Sequence, residues 1–62
     1  MQARRLDQDS IEIFATPAEL DILRQCLNEV CNGIAIPEFE TRIGAAIDEV
    51  RAMLRTLREA VT

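Results

Sequence analysis

The sequence predicts a mostly α-helical chain: one short N-terminal β-strand, then an antiparallel helical hairpin with a short helical turn in its connection, the whole forming a dimer. Three observations predict it. Ile43, Ile47, Val50, Leu54, Leu57 and Val61 recur at spacings of four, three, four, three and four, which keeps one aliphatic line on one side of an α-helix and which no strand could do. Thr16-Pro17-Ala18-Glu19 reads as a helix start, with a good N-cap, proline at the first helical position and an acid placed to close a capping box. Ser10 to Ala15 alternates, the period of a strand.

Residues 1–9 are polar, charged and without periodicity, and are expected to form a flexible N-terminal segment. Residues 10–62 are expected to form a single small α-rich domain. In the strand, Ile11, Ile13 and Ala15 share one face, with Ser10, Glu12 and Phe14 on the other. One strand cannot satisfy its own backbone groups. Its expected partner is Ile34-Ala35-Ile36, the same strand of a second copy, or the sheet edge of a different protein.

The first helix should run from Pro17 to about Asn32. Leu20, Leu23, Leu27 and Val30 form its apolar stripe, widened by Ile22, Cys26 and Cys31. Asn32-Gly33 should stop it, with Gly33 free to turn left-handed. Pro37 blocks a helix from passing through but can start a short one over Pro37–Arg42, with Glu38 and Glu40 favoured in its first turn and Gly44 at its end. The rival is an irregular loop in which Phe39 and Ile43 plug the gap between the long helices. The last helix should begin near Ala45 or Ala46 and run to about Ala60. Asp48 and Glu49 lie near its start and Arg55 and Arg58 toward its end, as the macrodipole prefers. Ala46, Met53 and Ala60 widen the stripe to about 140°, more than one neighbour covers.

A chain of 62 residues and 7.0 kDa buries roughly 6,000 Å² on folding. If about 60% of that is apolar, the gain is on the order of 90 kcal/mol. Ordering the chain costs about as much, ~90 kcal/mol. A lone monomer is marginal, and association is the simplest source of further buried area. A homodimer is therefore expected. Its contact residues should be Ile11, Ile13 and Phe14 of the strand, or Val50, Met53, Leu54, Leu57 and Val61 of the last helix. A different protein as partner is the second expectation.

Seven arginines, no lysine and eleven acids leave a net charge of −4. That balance argues against general nucleic-acid binding, which needs a basic face. It suits an acidic surface meeting a basic partner, though most such charges simply face water. The absence of histidine removes the usual hydrolytic triads. Glu38 and Glu40, two apart, would not face each other on a helix. The two glycines are isolated and form no phosphate loop. Two cysteines without histidine make no structural zinc site. At five residues apart, roughly 140° around a helix, Cys26 and Cys31 should not pair within the chain; both are expected to be small buried side chains. No catalytic, cofactor or metal residue is expected. No apolar run reaches the length of a membrane span, and no apolar stretch follows Arg4-Arg5, so the expected location is the cytoplasm.

Arg51, Arg55 and Arg58 share one side of the last helix and could form an anion-binding or partner-contacting ridge. Alternatively their stems cover apolar surface while Asp48 and Glu59 pair with Arg51 and Arg55. Thr41 to Val50 also has the outline of a helix–turn–helix. A small DNA-binding regulator is thus an alternative function, although Asp48 and Glu49 stand where a recognition helix presents basic groups.

Leu27-Asn28-Glu29-Val30-Cys31-Asn32-Gly33, followed by Phe39-Glu40-Thr41-Arg42-Ile43-Gly44, resembles a group of small bacterial proteins through an LNEV-x-NG and F-x-TR-x-G pattern. The resemblance spans about residues 10–60 and brings no established activity. Such short acidic chains also resemble the immunity or antidote partners of bacterial toxins, which would make this one an inhibitor of a basic target. The resemblance implies that Asn28, Glu29, Thr41 and Arg42 contact one another or a partner. Glu29 and Arg42 would then form an ion pair holding the connection to the first helix.

Overall fold

A computed structural model describes residues 1–61. The order is β1 (Gln2–Arg5), β2 (Ile11–Phe14), α1 (Pro17–Asn28) continued by a π-helical turn (Glu29–Gly33), α2 (Phe39–Ile43) and α3 (Ile47–Val61). The chain is mostly helical, with a two-stranded antiparallel sheet at its N-terminus.

Within the chain, the expected strand pairs with residues 2–5 and not with Ile34–Ile36. Gln2, Ala3, Arg4 and Arg5 pair with Phe14, Ile13, Glu12 and Ile11 in antiparallel register, so residues 2–5 are a strand where the sequence pattern pointed to an irregular segment. The reason is local. The Asp7 carboxylate accepts from the Asp9 backbone N–H at 2.8 Å, and the Leu6 N–H donates to the Ser10 carbonyl at 3.0 Å. This Asx turn folds the chain back on itself, and the ladder then recruits β1 whatever its side chains. Arg4 and Glu12 lie directly opposite and form an ion pair at 3.0 Å, a cross-strand contact within the register that the turn sets.

Thr16 caps α1 as its sequence requires. Its hydroxyl accepts from the Glu19 N–H at 3.1 Å, and the Glu19 carboxylate accepts from the Thr16 N–H at 3.0 Å. The helix is α-helical only to Asn28. It then widens, and the Ile34 N–H donates to the Glu29 carbonyl, five residues back. Gly33 therefore does not stop the helix by turning left-handed, as expected of it. It belongs to the wide turn, and extended Ile34 closes the helix. The left-handed glycine is Gly44, at φ +90°, which ends α2. Glu38, the residue before α2, is also left-handed, at φ 54°, a conformation that costs a non-glycine residue roughly 1–2 kcal/mol.

α3 packs on α1 and on the π turn. The last turn of α3 (Arg58, Val61) shares an open cleft of about 650 Å³ with Pro17, Ala18, Asp21 and Arg24 of α1. The core between them is small. Leu54 (2% exposed), Val50 (3%) and Cys31 (6%) are its buried members, with Leu20, Leu23, Leu27, Val30 and Leu57 partly buried around them. Cys26 is exposed, contrary to the expectation that both thiols are buried. Ile22 and Met53 also face outward, so the aliphatic stripes are broader than the seam they cover. No helix among the described residues is long and apolar enough to cross a membrane.

Candidate functional site

Two surfaces emerge from this arrangement: a polar contact joining the helices and the free face and edge of the hairpin. The polar contact centres on Asn28, at the end of α1. Its side-chain oxygen accepts from Arg58 of α3 at 2.9 Å and from Asn32, one turn on, at 3.2 Å. Of the four polar residues grouped by sequence, only Asn28 takes part. Glu29, Thr41 and Arg42 point to solvent, and the expected Glu29–Arg42 ion pair is not formed. The π turn accounts for the difference: it carries residues 29–33 around a wider circle than an α-helix would, while α2 stands apart as a five-residue helix with its own cap at Gly44.

The three arginines of α3 do not converge on one anion site. Arg58 turns to Asn28, Arg51 lies 3.6 Å from Asp48, and Arg55 is exposed. Beside Arg58 the cleft is lined by Arg24, whose guanidinium is already held by Asp21 at 2.7 Å. Sequence reading missed Asp21, Arg24 and Asn32, although the i,i+3 spacing of the first pair and the i,i+4 spacing of Asn28 and Asn32 were visible signals.

The hairpin presents the second surface. Ala3, Arg5, Ile11 and Ile13 share one face, with Gln2, Arg4, Glu12 and Phe14 on the other. Ile11, Ile13 and Phe14 are 57%, 58% and 56% exposed. Among the described residues only β1 pairs with β2, so within them the far edge of β2 has no strand beside it. On α3, Val50 and Leu54 are spent on the intramolecular core, whereas Met53 remains exposed and Leu57 and Val61 are partly buried. Of the two expected contact sets, the strand set is the more exposed.

The hairpin is joined to α1 through Glu19. The Met1 ammonium donates to its carboxylate at 2.8 Å while the Thr16 N–H holds the other oxygen. The ammonium first, then the Thr16 backbone, lower the Glu19 carboxyl from its ordinary 4.5 to about 2. Among the described residues no group of three or more metal-ligating side chains comes together.

Comparison with protein-family models, with curated proteins and with solved structures finds no match to this chain. The resemblance drawn through residues 27–33 and 39–44 therefore stands on those residues alone.

Proposed function

We propose that the protein is a non-catalytic interaction module that acts as a homodimer. One observation carries the reading: the chain exposes 4967 Å², whereas a compact monomer of 7.0 kDa exposes about 4,000 Å². The excess, roughly 900 Å², is close to the ~800 Å² that each partner contributes to a standard protein interface. The radius of gyration agrees, at 12.8 Å against about 10.5 Å for a compact chain of this length. The lack of histidine, which removes the usual hydrolytic triads, supports the non-catalytic reading.

The acidic balance, −4 overall, favours a basic protein as the dimer's further target, because complementary charge steers encounter. The helix–turn–helix alternative gains no support, since Asp48 and Glu49 occupy the first turn of α3, where phosphates would be repelled. Sedimentation equilibrium between about 1 and 100 µM tests the central claim. A species of twice the 7.0 kDa chain mass is expected, and a folded species of single mass throughout would overturn it.

A further inference from the structure

We propose that the second copy docks on the free edge of β2, forming a continuous four-stranded antiparallel sheet, β1–β2–β2–β1, with Ile13 on the two-fold axis. This rests on the homodimer reading and names the surface that it uses. The first argument is the hairpin's own insufficiency. An isolated two-stranded hairpin is marginal in water, and three or more strands or a helix packed on its face are needed for stability. Here neither face is covered by the helices, as the exposure of Ile11, Ile13 and Phe14 records. Two added strands would supply what the helices do not.

The second argument is the direction of the backbone groups. The Leu6 N–H donates to the Ser10 carbonyl. In an antiparallel ladder hydrogen-bonded pairs alternate with non-bonded ones, so Glu12 and Phe14 bond β1, while Ile11, Ile13 and Ala15 turn their N–H and C=O groups to the open edge. That edge carries no lysine, no bulge and no proline before Pro17, and its one charge, Glu12, is paired with Arg4.

Charge and proline then choose the register. A two-fold axis normal to the sheet must relate odd positions to odd and even to even. Centred on Glu12, the pairing sets two carboxylates directly opposite each other in a close, non-bonded pair. Centred on Phe14, it places Ile11 against Pro17, which has no N–H to give. Centred on Ile13, it uses all five residues from Ile11 to Ala15, with Ile13 facing its own copy, Ile11 facing Ala15 and Glu12 facing Phe14. No like charges meet. Each Glu12 keeps its Arg4, and Ile11 and Ile13 of both copies form one apolar row.

The test uses the full chain in two variants. In a Cys26→Ser background, which removes the exposed thiol, Ile13→Cys is oxidised in air beside a Met53→Cys control. A hydrogen-bonded pair places its Cα atoms about 5.5 Å apart, within disulfide reach, so rapid covalent dimerisation of Ile13→Cys alone is expected. Separately, Ile13→Lys should weaken the dimer by about tenfold or more with the helical circular dichroism unchanged. A dimer that resists Ile13→Lys and cross-links through Met53→Cys instead would overturn the strand-edge interface while leaving the homodimer reading intact. A wild-type chain that is monomeric at about 100 µM would overturn both.

Discussion

The Arg58 guanidinium of α3 donates to the Asn28 side-chain oxygen at 2.9 Å, across thirty positions of sequence. It joins the two main helices side chain to side chain, and it meets Asn28 where α1 gives way to the π turn. Removing either side should cost about 1 kcal/mol, the net worth of a solvent-accessible hydrogen bond. Denaturant melts of Arg58→Met, Asn28→Ala and the double variant should show the second substitution costing less than the first, a coupling of roughly 0.5 kcal/mol or more. Strict additivity would mean that the contact carries no stability.

Leu54 is the most buried side chain, at 2%, in a core with few other members. Leu54→Ala should cost on the order of 2–5 kcal/mol, enough to unfold a domain of this size. Leu54→Met keeps the volume and should cost less than about 1.5 kcal/mol. Thermal unfolding followed by far-ultraviolet circular dichroism measures both, and equal losses would show that the site is not packed.

The two left-handed residues around α2 give opposite predictions. At Glu38 (φ 54°) glycine relieves the Cβ strain, so Glu38→Gly should stabilise by about 0.5–1 kcal/mol. At Gly44 (φ +90°) an added Cβ meets nothing within 4 Å, so Gly44→Ala should cost about 1–2 kcal/mol through backbone strain alone. At Gly33 φ is ordinary and the nearest atoms to an added Cβ belong to the end of the flexible Glu29 side chain, which can swing aside. Gly33→Ala should be neutral or mildly stabilising. The three melting temperatures rank the variants, and a harmless Gly44→Ala would refute the left-handed turn.

Acid should loosen the junction of hairpin and helix. Because the folded Glu19 carboxyl sits at about 2 against an ordinary 4.5, its contribution is fully present above about pH 4.5 and is lost as pH falls through about 2. Glu19→Gln should flatten the stability profile between those limits, read from urea midpoints at each pH. Thr16→Ala, which removes the other half of the capping box, should cost about 1 kcal/mol at neutral pH.

The helices were legible because their signals are local or periodic. Thr16, Pro17 and Glu19 marked the start of α1 to the residue; the line from Ile43 to Val61 marked α3 but began too early, since Ile43 belongs to α2 and α3 starts at Ile47. Gly44 as the end of α2 could be read from position alone. β1 could not, because Gln2–Arg5 carries no alternation of its own; it is a strand only because β2 and the Asp7–Asp9 turn make it one. The π turn left no trace either, since Val30 and Cys31 continue the α-helical stripe and only the backbone widens. Nor did charge pairing follow from proximity in sequence. Glu29 and Arg42 remain apart, and Arg58 meets Asn28 only through the packing of α3 on α1.

The two thiols stand in unequal circumstances, Cys26 of α1 open to reagents and Cys31 of the wide turn buried where that turn meets α3. In the native protein an alkylating probe should consume Cys26 at once and Cys31 only as fast as α3 lifts away. The molecule thus carries a clock for its own opening, and no label need be engineered to read it.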